Sequence, residues 1–246
     1  LDRPMEYNIW RAPTDNDRII ENEWKTAQFD RTMTRSYQTD VRMDEHAHSV
    51  QIHTTLSLSA CYIQRILNMQ AVFTVFADGA VDVSLAVTRD PIFPMLPRFG
   101  IRLFLPKELN QIDYFGIGPF ESYIDKRRAG YHGCFSSDVR AMHEDYLRPQ
   151  ENGSHYDCDY VTIGNTDVSL TAASAVPFSF NASVYTEEEL TKKAHNYELE
   201  ESGHTVLCID YRQNGIGSNS CGPELLEKYR LDETEFAFAF RLVPQC

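Results

Sequence analysis

Asp78-Gly79 stands between two runs of alternating character, Ala71-Val72-Phe73-Thr74-Val75-Phe76 and Ala80-Val81-Asp82-Val83-Ser84-Leu85-Ala86-Val87. Glycine at that place supplies the positive φ of a tight primed turn, so the two runs must fold back on each other as an antiparallel hairpin. The same period of two recurs in Val50, Ile52, Thr54, Leu56 and Leu58, which alternate with His and Ser. Phe99 to Leu105, led in by Pro94 and Pro97, reads as another strand, as do Phe178 to Asn181, Val206 to Ile209 and Phe236 to Phe240. Helices are few. Thr186-Glu187-Glu188-Glu189 is a capping box that starts a helix running to about Ala194, and a second short helix is expected around Glu21 to Ala27. Gly and Pro are scattered, with no linker, repeat or low-complexity tract. Residues 1–246 are therefore expected to form a single all-β domain, many antiparallel strands in two packed sheets.

A net charge of −13 argues against nucleic acid and anionic membrane as partners. No apolar run approaches the roughly 20 residues that span a bilayer. Leu1 to Trp10 is mixed and polar, unlike a secretory signal, and without an initiating Met the chain is expected to be a piece of something longer. Six cysteines are spread out with no C-x-x-C spacing. They read as free thiols in a reducing, cytoplasmic compartment rather than as a zinc site or a disulfide framework.

Four irregular segments carry the polar chemistry. Trp10-Arg11-Ala12-Pro13-Thr14-Asp15-Asn16-Asp17 is a turn in which Pro13 opens the bend and three Asx residues can bond back to backbone donors. Gly116-Ile117-Gly118-Pro119-Phe120-Glu121-Ser122-Tyr123-Ile124-Asp125-Lys126-Arg127 lacks the third glycine and the βαβ unit of a dinucleotide loop. It is expected to be a rigid loop in which Glu121 and Asp125 pair with Lys126, Arg127 and Arg128. Arg148-Pro149-Gln150-Glu151-Asn152-Gly153 is a turn suited either to sugar hydroxyls or to anchoring a loop. Asn214 to Pro223 holds three glycines in its first nine residues, which lets backbone approach something closely. No nucleophile elbow, His-rich metal spacing or singled-out carboxylate pair is present.

Taken in order, these four segments closely resemble the C-terminal small-chain domain of family 2 β-galactosidases. Asn22-Glu23-Trp24-Lys25, Leu96-Pro97-Arg98-Phe99-Gly100, Phe178-Ser179-Phe180-Asn181 with Tyr185-Thr186, and His195 fit the same pattern, so the resemblance spans about residues 4 to 244. It implies a large antiparallel β-supersandwich of the galactose-mutarotase-like kind. It also implies a noncatalytic part of a retaining glycosidase, whose catalytic residues sit in a TIM barrel of the same chain. No catalytic residue and no metal site is expected here; Mg and Na would be bound by other domains, and the full-length enzyme would be a homo-oligomer acting on β-galactosides.

The resemblance further implies that Asn219, Ser220 and Cys221 contact substrate. Cys221 stands where the best-known members carry a stacking Trp, and the loop is one residue shorter. Asp15, Asn16, Asp17 and Arg18 would lie near the active site, the three Asx residues fixing the turn. Arg18 to Glu23 would be a loop that moves on ligand binding. Trp10, Arg11, Glu121, Tyr123, Asp125, Arg127, Glu151 and Asn152 would be structural parts of the motifs. Two other readings are a stand-alone aldose mutarotase, which needs a His acid and a Glu base facing one hydroxyl, and a carbohydrate-binding domain.

Overall fold

The computed structural model describes all residues, 1–246. Twelve strands are present: β1 (Arg3–Asn8), β2 (Met33–Asp44), β3 (Ser49–Ser59), β4 (Leu67–Phe76), β5 (Val81–Arg89), β6 (Arg98–Pro106), β7 (Gln111–Gly118), β8 (Tyr131–Asp138), β9 (Ser154–Gly164), β10 (Ser169–Ser183), β11 (His204–Gln213) and β12 (Glu235–Gln245). Two short α-helices interrupt them, α1 (Ile20–Thr26) and α2 (Glu187–Lys192). All strand pairs are antiparallel. The all-β expectation holds, and the hairpin turn is where the Asp78-Gly79 pair places it, with Gly79 at φ +87°.

Hydrogen bonding joins the strands into one sheet, in the order β1-β6-β11-β10-β12-β5-β4-β3-β2, with β9, β7 and β8 attached through β10. The expected pair of layers is thus covalently and hydrogen-bond continuous. The reason lies in β10: Ser169 to Ala173 pair with β12, whereas Ser179 to Ser183 pair with β11. Register shifts between Ala173 and Phe180 mark the place where the strand changes partners.

Period two decides which face each strand buries. On β5, Val83, Leu85 and Val87 are buried while Ser84, Ala86 and Thr88 are exposed. Strand β6 is buried along nearly its whole length. Its odd positions, Phe99, Ile101, Leu103 and Leu105, enter the hydrophobic core. Its even positions include Arg98 and Arg102, and register carries that polar row onward: Glu6 faces Arg102, Arg102 faces Cys208, Cys208 faces Asn181, and Asn181 faces Ser154. The polar face of this half of the sheet is closed by α2 and by the loops described below. No helix is long and apolar enough to cross a membrane.

Helix α1 forms close to its expected place, with Glu21 and Lys25 paired at 2.5 Å one turn apart. Helix α2 is shorter than expected, ending at Lys192. Thr186 caps it, accepting from Glu189 N at 3.2 Å, but the return arm of the capping box is not made. Glu189 instead accepts from Glu200 N at 2.9 Å and pairs with Lys193 at 3.2 Å.

Candidate functional site

The four polar segments, up to about 200 residues apart in sequence, meet on one rim at the end of β6 and β11. Arg11 is the hub of the first. Its side chain is wholly buried, its Nη2 donates to Asp17 Oδ1 at 2.7 Å, and its Nε donates to Asp17 Oδ2 at 3.2 Å. The rest of the fork reaches across to the fourth segment, Nη1 to Asn214 O at 2.5 Å and Nη2 to Gly215 O at 3.2 Å. A planar guanidinium suits this place because it serves a carboxylate and two carbonyls at once. Asp17 also accepts from Thr14 N at 2.9 Å and Thr14 Oγ1 at 3.0 Å, closing a short 3-10 turn over Asp15–Arg18.

The three Asx residues therefore divide the work differently from the expectation that each fixes the turn. Asp17 alone closes the turn with its side chain. Asn16 reaches out, its Nδ2 donating to Ile216 O at 2.6 Å. Asp15 contributes through its backbone, its N donating to Gln150 Oε1 at 2.9 Å, while the residue itself is exposed. Arg18 donates to Ser220 O. The segment Arg18 to Glu23, expected as a loop, is the end of the 3-10 turn and the start of α1, because Ile20 and Trp24 bury one helical face. Trp10 and Trp24 meet edge to face at 6.5 Å, and Trp10 Nε1 donates to Thr191 of α2 at 3.1 Å.

The second segment is not a single loop. Gly116 to Gly118 complete β7, paired with β8, and only Pro119 onward leaves the sheet. The ion network expected there is narrower too. Glu121 receives Lys126, Tyr146 and Gly153 N, the last at 2.9 Å. Asp125 is not part of it: its carboxylate accepts from Ile216 N at 3.0 Å and Gly217 N at 2.8 Å. This explains the glycine at 215, since a Cβ there would lie 2.6 Å from Asp125 Oδ2. Arg127 lies over the Tyr156 ring at 5.4 Å and, like Arg128, forms no ion pair. Tyr123 is fully buried, and burial pushes its hydroxyl well above the usual tyrosine range.

The third segment joins the rim from below. Glu151 N donates to Ala12 O at 2.9 Å, and Asn152 Oδ1 accepts from Glu144 N at 3.0 Å. The Glu151 carboxylate points inward to Arg98, which is also wholly buried. Arg98 Nη1 lies 3.1 Å from Glu151 and 3.2 Å from Glu187, and its Nη2 lies 2.5 Å from Asp210. Arg102 pairs with Glu187 at 2.5 Å, and with Glu6 and Glu188 nearer the surface. Burial pushes Glu151 up to about 7, against the pull of Arg98, and it raises Asp210 as well. Glu187 goes the other way: Arg102 and Arg98 together overcome its burial and hold it down at about 2. Glu151 is thus structural, as expected, but its partners Arg102, Glu187, Asp210 and Gln213, and the role of Arg98 in joining them, were not foreseen from the sequence. Arg98 and Arg102, four apart on one face of an otherwise apolar strand, were the available signal.

The fourth segment arches over α1. Asn219 takes φ +82° and accepts Leu225 N through Oδ1 at 2.9 Å. Ser220 and Cys221 touch each other at 3.6 Å, and Cys221 is exposed. Beneath them lies a cleft of about 330 Å³ lined by Ile19, Ile20, Glu23, Met95, Asn219 and Leu225 among others. A larger cleft of about 730 Å³ runs along α1 toward Ile63 and Phe93, but none of the four segments lines it. The fourth segment contributes Asn219 and Gly222 to the smaller cleft, and the second segment lines another of about 390 Å³ with Phe120, Glu121, Asp125, Lys126 and Arg127. No group of three or more His, Cys, Asp and Glu side chains is arranged to hold a metal ion.

Known proteins resemble this chain along most of its length. The family model described as "Beta galactosidase small chain" matches residues 1–242. Beta-galactosidase of Actinobacillus pleuropneumoniae is 45% identical over 243 residues, covering 99% of this chain and 24% of that protein. Beta-galactosidase of Staphylococcus xylosus is 40% identical over 235 residues, covering 96% of this chain and 23% of that protein. The chain thus spans about a quarter of the length of these relatives. Among solved structures, galactose 1-epimerase from Lactobacillus acidophilus NCFM superposes with a TM-score of 0.48 at 10% identity, over 85% of this chain and 66% of that one. With the family model spanning nearly every residue, the chain belongs to the beta-galactosidase small-chain family.

Proposed function

We propose that residues 1–246 act as one noncatalytic domain of a retaining β-galactosidase, forming one wall of its galactoside pocket, while the remainder of the enzyme hydrolyses terminal β-D-galactose. The observation that carries this reading is convergence. Four segments scattered along the chain are tied to one another by Arg11, Asp17, Asn16, Asp125 and the backbone of Glu151. The effort of burying whole guanidinium groups to hold loops at one edge is characteristic of a preorganised surface rather than of a chain connection. Cys221 is exposed on that surface with Asn219 and Ser220 half-buried next to it, and Asp15, Asn16 and Arg18 are the residues of the first turn assigned with them to the sugar side, the buried Asp17 holding that turn near the active site. A thiol in place of a flat indole offers a small soft contact and no stacking platform, so the leaving group is held loosely.

Catalysis is assigned to the TIM-barrel domain of the same polypeptide, which a homo-oligomeric, cytoplasmic enzyme would present to this rim. Any Mg or Na is assigned to that part as well, since the buried carboxylates behind the rim are already committed, Asp17, Glu151, Glu187 and Asp210 to guanidinium groups, and Asp125 is held by amides. A mutarotase would need a His and a Glu aimed at one hydroxyl. His155 is buried with Nδ1 on Ile117 O at 3.2 Å, and His204 faces Asp2 at 2.9 Å. The test is direct. The purified chain is assayed with a chromogenic β-galactoside and, separately, for galactose anomerisation. No turnover in either assay is expected; hydrolysis by the chain alone, or anomerisation, would overturn the reading.

A further inference from the structure

We propose that Glu151 is a proton-carrying positioning residue: gain or loss of one proton inside the Arg98 cluster sets how firmly the rim segments 12–18 and 213–220 are held. This rests on the reading of the rim as a pocket wall only for its consequence in catalysis, not for the proton itself.

The geometry leaves one buried negative charge too many. Three wholly or nearly wholly buried carboxylates, Glu151, Glu187 and Asp210, face two guanidinium groups, Arg98 and Arg102. Arg102 is further shared with Glu6 and Glu188. The three carboxylates are not served equally. Asp210 takes a two-pronged contact from Arg98, at 3.2 and 2.5 Å. Glu187 takes Arg102 at 2.5 Å, Arg98 at 3.2 Å and Asn8 Nδ2 at 3.1 Å. Glu151 has a single guanidinium nitrogen, at 3.1 and 3.3 Å from its two oxygens, and the Gln213 amide at 3.3 Å. The surplus charge is therefore relieved by a proton on Glu151, the carboxylate with the weakest compensation.

Other charged or titratable groups around Glu151 are Arg11 from the first segment, Tyr123 from the second, and Cys208 beside Glu187 on β11. Of these, Arg11 is already taken by Asp17, and Tyr123 and Cys208 are neutral, burial raising both well above their usual range. None relieves the surplus. A second observation points the same way. Gln213, whose Nε2 donates to Glu151 at 3.3 Å, leaves its Oε1 as a buried acceptor with no donor, so the amide beside Glu151 is itself short of a proton donor. Burial sets the Glu151 proton to leave at about 7, within reach of ordinary working conditions.

Glu151 is wired to the rim on both sides. Its N holds Ala12 O, and the preceding Gln150 holds Asp15 N. Gln213, its amide partner, leads directly into Asn214, whose carbonyl Arg11 holds. Proton loss places an uncompensated charge at this junction, and the cluster relieves it by admitting water and loosening both segments.

The experiment is hydrogen exchange on the full-length enzyme carrying this chain, with intrinsic rates corrected for pH. Peptides covering 12–18 and 213–220 should lose protection between pH 6 and pH 8, by about tenfold or more. Glu151→Gln, a neutral isostere, should keep the low-pH protection at both values; Glu188→Gln, at the exposed neighbour, should keep the step. No step in the wild-type enzyme, which is read without any variant, would overturn the proposal, as would a step that persists in Glu151→Gln. KM for a β-galactoside measured over the same range should rise with loss of protection. A step in exchange without a step in KM would keep the Glu151 proton and overturn the placement of the rim at the sugar.

Discussion

Removing the carboxylate of Asp17 should destabilise the rim severely. The side chain holds two nitrogens of a wholly buried Arg11 and two donors of Thr14. Asp17→Ala leaves the guanidinium in place with only the carbonyls of Asn214 and Gly215, an uncompensated positive charge with no route to water. Stranding one member of a buried pair costs about 3–5 kcal/mol, and the orphaned Thr14 amide adds about 1 kcal/mol. Against a whole-domain stability of about 5–15 kcal/mol this is a large loss. With a urea dependence near 3 kcal/mol/M, the midpoint of unfolding should drop by roughly 1 M or more. The informative control is Arg11→Met with Asp17→Ala together, which removes the stranded charge and should recover a substantial part of the loss. Urea unfolding of the chain, followed by tryptophan fluorescence from Trp10 and Trp24, reads all three variants. If Asp17→Ala shifted the midpoint by under about 0.3 M, or the double variant were no better than the single, the burial argument would fail.

Asp125→Asn weakens the hold on Ile216 N and Gly217 N, and should raise KM for a β-galactoside severalfold in the full-length enzyme with little change in melting temperature; an unchanged KM would show that this loop does not position substrate. Cys221→Trp restores a flat side chain and should lower KM for aromatic aglycones specifically, as read by comparing aryl and alkyl galactosides. Stability should depend on pH in two opposed limbs. Glu187, lowered from 4.5 to about 2, contributes stability present above 4.5 and lost as pH falls through 2, on the order of 3 kcal/mol. Glu151, raised from 4.5 to about 7, contributes stability present below 4.5 and lost as pH rises through 7. Thermal melts of the chain should therefore peak near pH 5 and fall toward pH 8; a melting temperature that climbs steadily from pH 5 to pH 8 would contradict the Glu151 assignment, and one that does not rise between pH 2 and pH 4.5 would contradict that of Glu187.

Strand character was legible because it rests on local periodicity: the hairpin at Asp78-Gly79 and the alternation on β5 need only neighbours. The helix near Trp24 was legible for the same reason. The ends of elements were less so. Arg18 to Glu23 reads as polar, yet it coils because Ile20 and Trp24 find a buried face, a tertiary fact. Gly116-Ile117-Gly118 reads as a loop, yet β8 pairs with it residue for residue. The rim segments themselves were recognisable, but their wiring was not. Asp125 could pair with adjacent basic residues or with amides 91 positions on, and only the closing of the sheet selects the latter. Arg98 meets Asp210 and Glu187 through the pairing of β6 with β11 and the docking of α2, contacts 112 and 89 residues apart.

The central claim is that the rim built by residues 12–18 and 213–221 faces the sugar. A crystal structure of the full-length enzyme with a galactoside bound tests it most directly. The account predicts at least one side chain among Asp15, Asn16, Arg18, Asn219, Ser220 and Cys221 within about 4 Å of the ligand. A ligand seated in the enzyme's catalytic pocket with all six of these side chains beyond contact distance would contradict it.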